Sequence, residues 1–146
     1  MSQIQAALSP VGRPGVSETL RVPQAMLAYL LGIAPALVRR RFAKGRALYR
    51  QDEVSNQVFV VISGRVGITM LRSDGQELLI DIVGSGALCG EGAAFDGLPR
   101  FSSASVLEDC EVLVIPATDF CKLMSSHAQL SPLVVQTIAL KQRMLA

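Results

Sequence analysis

Residues 46–83, "RALYRQDEVSNQVFVVISGRVGITMLRSDGQELLIDIV", alternate apolar and polar side chains, with glycine and aspartate as punctuation. That period of two is a strand signature and commits the middle of the chain to β-structure. Asp74-Gly75 within "SDGQ" predicts a hairpin with a two-residue loop, because those residues take positive φ readily. "VSNQ" and "VGSGAL" predict two more turns, and Gly64 and Gly67 inside strand-like runs mark bends or close backbone approach. Past residue 100, "SSASVLEDCEVLVIPATDF" supplies two further short strands about a turn at Glu108-Asp109.

Helical periodicity flanks this block. Leu27, Leu30, Leu31, Ala34 and Val38 share one face of a helix over 23–38, which Pro35 divides into two short pieces. From Pro116 a short helix, "ATDFCKLMSS", is followed by "SPLVVQTIALKQRMLA", with Ser131 as its N-cap and Pro132 in its first turn. Leu133, Val134, Ile138, Leu140, Met144 and Leu145 cover a broad face of that last helix, wide enough for its own barrel and a partner. Residues 1–22 lack a period and form a flexible leader; 23–146 form one domain. The predicted fold is mainly β with flanking helices: about eight short antiparallel strands in a small jelly roll.

Composition excludes several classes. The chain has 146 residues, half of them hydrophobic, yet its longest apolar run, "AMLAYLLGIAPALV", is too short for a span, which needs about 18 residues. The first residues lack the basic start and apolar core of a secretion signal, so a cytoplasmic protein without membrane contact is expected. Cys89, Cys110 and Cys121 show no metal or disulfide spacing, and the latter two suit burial as small hydrophobes. His127, the single histidine, has no motif partner and suits a surface or helix end, so no metal site, resident cofactor or nucleophile–base pair is expected, and no enzyme. Net charge is +2. The basic run "RRRFAKGR" suits a solvated helix end leading into a strand rather than a nucleic-acid contact.

"GEGAAFDGLPRFSSASV", residues 90–106, interrupts the strand pattern. Glycines 84, 86, 90 and 92 allow close backbone approach, and "GEGAAF" suits a short helix with unpaired N–H donors at its start. Arg100, ten residues beyond Gly90, offers a guanidinium for a phosphate or carboxylate. Glu91 offers an acceptor for a hydroxyl. These groups describe a pocket for a small ligand with an anion and a hydroxyl. Equally, Glu91 and Arg100 can pair with each other across an ordinary loop.

"KGRALYRQDEVSNQVFVVISGRVGI" and "GALCGEGAAFDGLPRFSSASVLEDCEVLVIPATDF" resemble the cyclic nucleotide-binding domain. They are closest in style to the sensor half of the catabolite activator and fumarate-nitrate regulator family of bacterial transcription regulators. The resemblance spans about residues 27–143 and rests on Gly45, Gly64, the "GE" and "PR" of the cassette, and the "DCEVLVI" strand. It implies a β-roll in which Gly90, Gly92 and Ala93 meet the cyclic phosphate and ribose, Glu91 takes the ribose 2′-hydroxyl and Arg100 takes the phosphate. The effector would be cyclic AMP or cyclic GMP. Residues 132–146 would begin a dimerisation helix for a homodimer, with DNA contacted only through a domain absent from this chain. Three positions depart from the pattern. Cys89 stands for an aromatic residue and Gly92 for a larger aliphatic one. Phe101 stands where a phosphate-binding hydroxyl is usual, with Ser102 one place late, a shift that on a strand points to the other face. Two functions follow: a ligand-sensing regulatory domain, with Ser102 as an added contact, or a non-binding scaffold for dimerisation or docking whose pocket Phe101 fills.

Overall fold

One long strand organises the molecule. In a computed structural model that describes residues 16–145, β3 (Gln57–Leu71) runs for 15 residues and pairs along its length with β6 (Ser103–Pro116). The other strands, β1 (Arg39–Phe42), β2 (Ala47–Tyr49), β4 (Glu77–Val83) and β5 (Leu88–Cys89), attach to these two as antiparallel neighbours. Helices α1 (Val16–Ile33), α2 (Glu91–Asp96), α3 (Ala117–Ser126) and α4 (Leu130–Leu145) complete the described chain.

Among the described residues the sheet therefore has six strands instead of about eight, in part because an expected break is a bulge inside a longer strand. At Glu108-Asp109 the chain does not turn. The ladder passes from Ser63↔Glu111 to Arg65↔Glu108, so Gly64 alone faces both Asp109 and Cys110. The extra residue bends the pair without ending it. Gly64 lies at φ 92°, and a Cβ there would overlap the Asp109 carbonyl and the Cys110 side chain. Only glycine fits.

The β3–β4 hairpin forms where "SDGQ" predicted it, but with a three-residue loop. The Arg72 amide donates to Gln76 O at 2.7 Å, and only Gly75 takes positive φ, at 88°. A turn closed by the Gly75 amide on Arg72 O, 3.0 Å, followed by a left-handed glycine is the usual three-residue solution.

Alternation along β3 buries both of its faces. Val58 and Val60 face the helices, joining Leu113 and Ile115 of β6, Met26 and Leu30 of α1, Phe120 of α3, and Leu130 and Val134 of α4. Phe59 and Val61 face the inside of the roll with Val66, Ile68, Val106, Val112 and Val114. Burying each such side chain contributes about 1.5–3 kcal/mol, so these two layers hold the roll and its helical cover together.

Several boundaries differ from the sequence expectation. Helix α1 begins at Val16, so residues 16–22 of the expected leader are helical; residues 1–15 lie outside the described residues. Pro23 sits inside α1, against the turn at Gly86, where a Cβ would meet its backbone. The helix stops at Ile33 as a single piece, since a residue preceding proline avoids the helical region. Val38, expected on its buried face, is 57 % exposed. "RRRF" is strand β1, not a helix end, and Arg39 and Arg41 pair with Glu111 across the ladder at 3.7 and 3.6 Å. Ser131 lies in the first turn of α4, which starts at Leu130. Cys121 is exposed, contrary to the expected burial, whereas Cys89 and Cys110 are buried.

Candidate ligand-binding site

The cassette occupies the crossing from β5 to β6. Gly90 turns the chain at φ 77°, and α2 follows at once. Its first intrahelical bond is Ala94 N–H to Gly90 O, 3.3 Å, so the amides of Glu91, Gly92 and Ala93 have no acceptor within the helix. Gly97, at φ 73°, ends the helix. The returning segment is pinned through the main chain of Arg100, whose N–H donates to Glu53 O (2.8 Å) and whose carbonyl accepts from Asp52 N–H (2.7 Å).

The Arg100 side chain is almost wholly buried, 2 % exposed. Nη1 donates to Gly90 O at 2.6 Å; Nη2 donates to Gln57 O at 2.7 Å and Ser55 Oγ at 3.0 Å. The guanidinium lies over the Tyr49 ring, 4.5 Å from its centroid. A Cβ on Gly90 would overlap Nη1, which explains the glycine. The remaining donor, Nε, is buried without a partner. Burial lowers the pKa of Arg100, with Tyr49, Glu53 and Glu91 opposing that effect.

Glu91 does not pair with Arg100. Its Oε1 accepts from Lys141 Nζ of α4 at 3.0 Å, and Oε2 is buried and unpaired. Burial works against the Lys141 charge, but Glu91 and then Cys89 and Asp81 outweigh it, so its pKa rises. Burial also raises the Asp81 carboxyl, against a hydrogen bond from Ile82 N–H and the nearby Lys141. It raises Tyr49 as well, and pushes the Cys89 thiol up to about 12.

Gly90, Glu91, Gly92, Ala93, Arg100 and Ser102 all line one pocket, together with Tyr49, Ile68, Ile80, Asp81, Phe101 and Lys141. Ser102 is buried, 4 % exposed, while Phe101 is 61 % exposed. Phe101 thus sits at the mouth and does not fill the pocket. Its ring edge lies 3.1 Å from where a Gly92 Cβ would be, so the two departures belong together: the glycine makes room for the phenylalanine. His127 caps the end of α3 and does not line this pocket; its Nδ1 lies near Leu123 O at 3.2 Å and its ring is edge-on to Tyr29.

Sequence reasoning missed Tyr49, Ser55, Gln57, Asp81 and Lys141. They come from other strands, from the segment leading into β3 and from the last helix, and no local spacing links them to the cassette. The assembled pocket offers a buried cationic donor and free helix amides beside a carboxylate oxygen that lacks a donor. Such a set suits an anion with a neighbouring hydroxyl.

Residues 39–127 match the family model described as the cyclic nucleotide-binding domain. The chain belongs to that family. Over 101 residues it is 30 % identical to the cyclic AMP receptor protein of Thermus thermophilus, covering 69 % of this chain and 45 % of the relative. It is 33 % identical to a cyclic nucleotide-gated potassium channel of Rhizobium etli over 116 residues, 80 % of this chain and 31 % of the channel. The solved catabolite activator protein of Thermus thermophilus superposes with a TM-score of 0.70 at 24 % identity, covering 82 % of this chain and 55 % of that one. The chain spans about half the length of the curated regulators it matches. No helix among the described residues is long and apolar enough to cross a membrane.

Proposed function

We propose that this cyclic nucleotide-binding domain is a ligand-sensing regulatory module whose effector is a cyclic nucleotide, with cyclic AMP the first candidate and cyclic GMP the second. The observation that carries the reading is the pair of orphaned buried atoms, Arg100 Nε and Glu91 Oε2. Each buried polar atom without a partner costs about 1–3 kcal/mol. A cyclic phosphate at Arg100 and the helix amides, with its ribose 2′-hydroxyl at Glu91, meets both needs with one small molecule. Gly90, Gly92 and Ala93 supply backbone, and Ser102 supplies a hydroxyl from the pocket wall. The similarity to a receptor named for cyclic AMP favours that nucleotide.

The regulatory output lies beyond the pocket. We assign it to a shift in α4, as the start of a homodimer interface, within a cytoplasmic regulator that contacts DNA through a separate domain. Val135 on α4 is 63 % exposed and available to such a partner. The second reading, a non-binding scaffold for dimerisation or docking, rests on the apolar face of the last helix and predicts a dimer indifferent to nucleotides; the exposed Phe101 ring at the pocket mouth favours the first.

Isothermal titration of the protein with cyclic AMP and cyclic GMP tests the reading. Micromolar binding is expected, weakened at least tenfold in Arg100→Lys, which keeps the charge but loses the planar fork. Absence of both heat and thermal shift with either nucleotide would overturn it.

A further inference from the structure

Lys141 meets a carboxylate 50 residues away in sequence. Its ammonium donates to Glu91 Oε1 at 3.0 Å and to Leu88 O at 3.2 Å, so one side chain of α4 grips both β5 and the first residue of the cassette helix. The two side chains are only 23 % and 12 % exposed. This sets them apart from the pairs of Arg39 and Arg41 with Glu111, Arg65 with Glu108 and Arg72 with Asp74, each of which has an arginine at least 47 % exposed.

The geometry divides the work of Glu91 between its two oxygens. Oε1 is taken by Lys141, while Oε2 is buried, unpaired and part of a residue that lines the pocket with Arg100. A carboxylate at that depth without a partner behind it rotates to find a donor. An ammonium fixed on one oxygen holds the carboxylate in place and leaves the other oxygen as a ready acceptor. A ligand hydroxyl then needs to displace nothing.

We propose that Lys141 is the positioning residue for Glu91: it holds the carboxylate so that Oε2 receives the sugar hydroxyl, and helix α4 is thereby part of the binding site. This rests on the cyclic nucleotide reading of the pocket. It also requires reciprocity. Ligand on Glu91 strengthens the docking of α4, and anything that pulls α4 away weakens the ligand by the same factor.

The experiment compares cyclic AMP with its 2′-deoxy analogue by titration calorimetry, in the wild type, Lys141→Met, Lys141→Arg and Glu91→Gln. A hydrogen bond to a charged group corresponds to about 10-fold or more in affinity. The wild type is expected to prefer the ribonucleotide by about that factor. In Lys141→Met the preference falls below about threefold, as in Glu91→Gln, and Lys141→Arg restores most of it. A general loss of packing at α4 weakens both nucleotides alike and leaves the ratio unchanged, so the ratio isolates positioning from stability. Should Lys141→Met fail to fold, Lys141→Gln removes the charge while keeping a polar end, and the same fall in ratio is expected. An undiminished preference in the neutral variant overturns the inference alone. A wild type that binds both nucleotides equally overturns the placing of the sugar hydroxyl on Glu91, and the inference with it, while cyclic nucleotide binding at Arg100 stands. A wild type that binds neither overturns the reading of the pocket, and the inference falls with it.

Discussion

Arg100 has two tasks, and replacing it by methionine separates their costs. The methionine stem fills much of the space but donates nothing. Gln57 O then loses the donor that reaches it at 2.7 Å, while Gly90 O loses one at 2.6 Å and keeps only the Ala94 N–H at 3.3 Å, in a cleft where Arg100 itself is 2 % exposed. Each buried carbonyl left without a partner costs about 1–3 kcal/mol. The half-buried Ser55 hydroxyl can turn to water and adds little. Against this stands the relief of no longer burying a guanidinium, which offsets part of that loss. The balance is a loss of about 1–2 kcal/mol, and a domain of this size loses about 2–4 °C in Tm for each kcal/mol. Arg100→Met is thus expected to melt about 2–8 °C below the wild type by scanning calorimetry without ligand. An unchanged or higher Tm would refute the reasoning. It would mean that desolvation of the cation cancels its hydrogen bonds, so that Arg100 is kept at a cost to stability for what it binds.

Two further predictions concern pH and thiol chemistry. Burial holds the Asp81 carboxyl above its ordinary 3.8, so the native state binds that proton more tightly than the unfolded chain, and stability falls as pH rises from about 3.8 through the native value. Asp81→Asn is expected to raise Tm at pH 7 and to leave it unchanged at pH 3; an equal change at both values would remove Asp81 as the cause. Burial also pushes Cys89 up to about 12 and raises Cys110, while Cys121 is exposed. Under native conditions a disulfide reagent is therefore expected to titrate Cys121 rapidly and alone, with all three cysteines reacting in denaturant; fast reaction of a second thiol in the folded protein would contradict the burial.

Much of the roll was legible because alternation survives wherever a strand has distinct faces. The hairpin at Gly75, the turn at Gly86 and the short helix after Gly90 were each marked by a residue with freedom at positive φ. The strand count was not legible, since a bulge at Asp109 and Cys110 opposite Gly64 looks in sequence like a turn. "RRRF" was misplaced because its exposure pattern lacks alternation: three of its four side chains are exposed. Helix α1 extends through Pro23, which sequence reasoning took for its start. In the pocket, the cassette announced Gly90, Glu91 and Arg100. It gave no sign of what holds them. Ser55, just before β3, and Gln57, its first residue, approach Arg100 from one side, and Lys141 approaches Glu91 from the last helix. Phe101 and Gly92 looked like two separate departures until the ring was seen to rest over the glycine.

The dominance of β3 also governs how the chain must fold. Its hairpin with β4 joins near neighbours, Leu71 to Glu77, but its longest ladder joins Gln57 to Pro116 and Thr69 to Ser103. Pairings this distant in sequence slow folding, because the loop between them must close before any bond rewards it. The cassette lies inside that loop. On a ribosome, a chain that has already released the apolar run "VFVVI" has to wait for some 54 further residues, from Ser63 to Pro116, before that strand gains its principal neighbour. Ligand competence therefore comes late in synthesis, and the nascent domain passes through a stage in which its most apolar strand lacks its main partner.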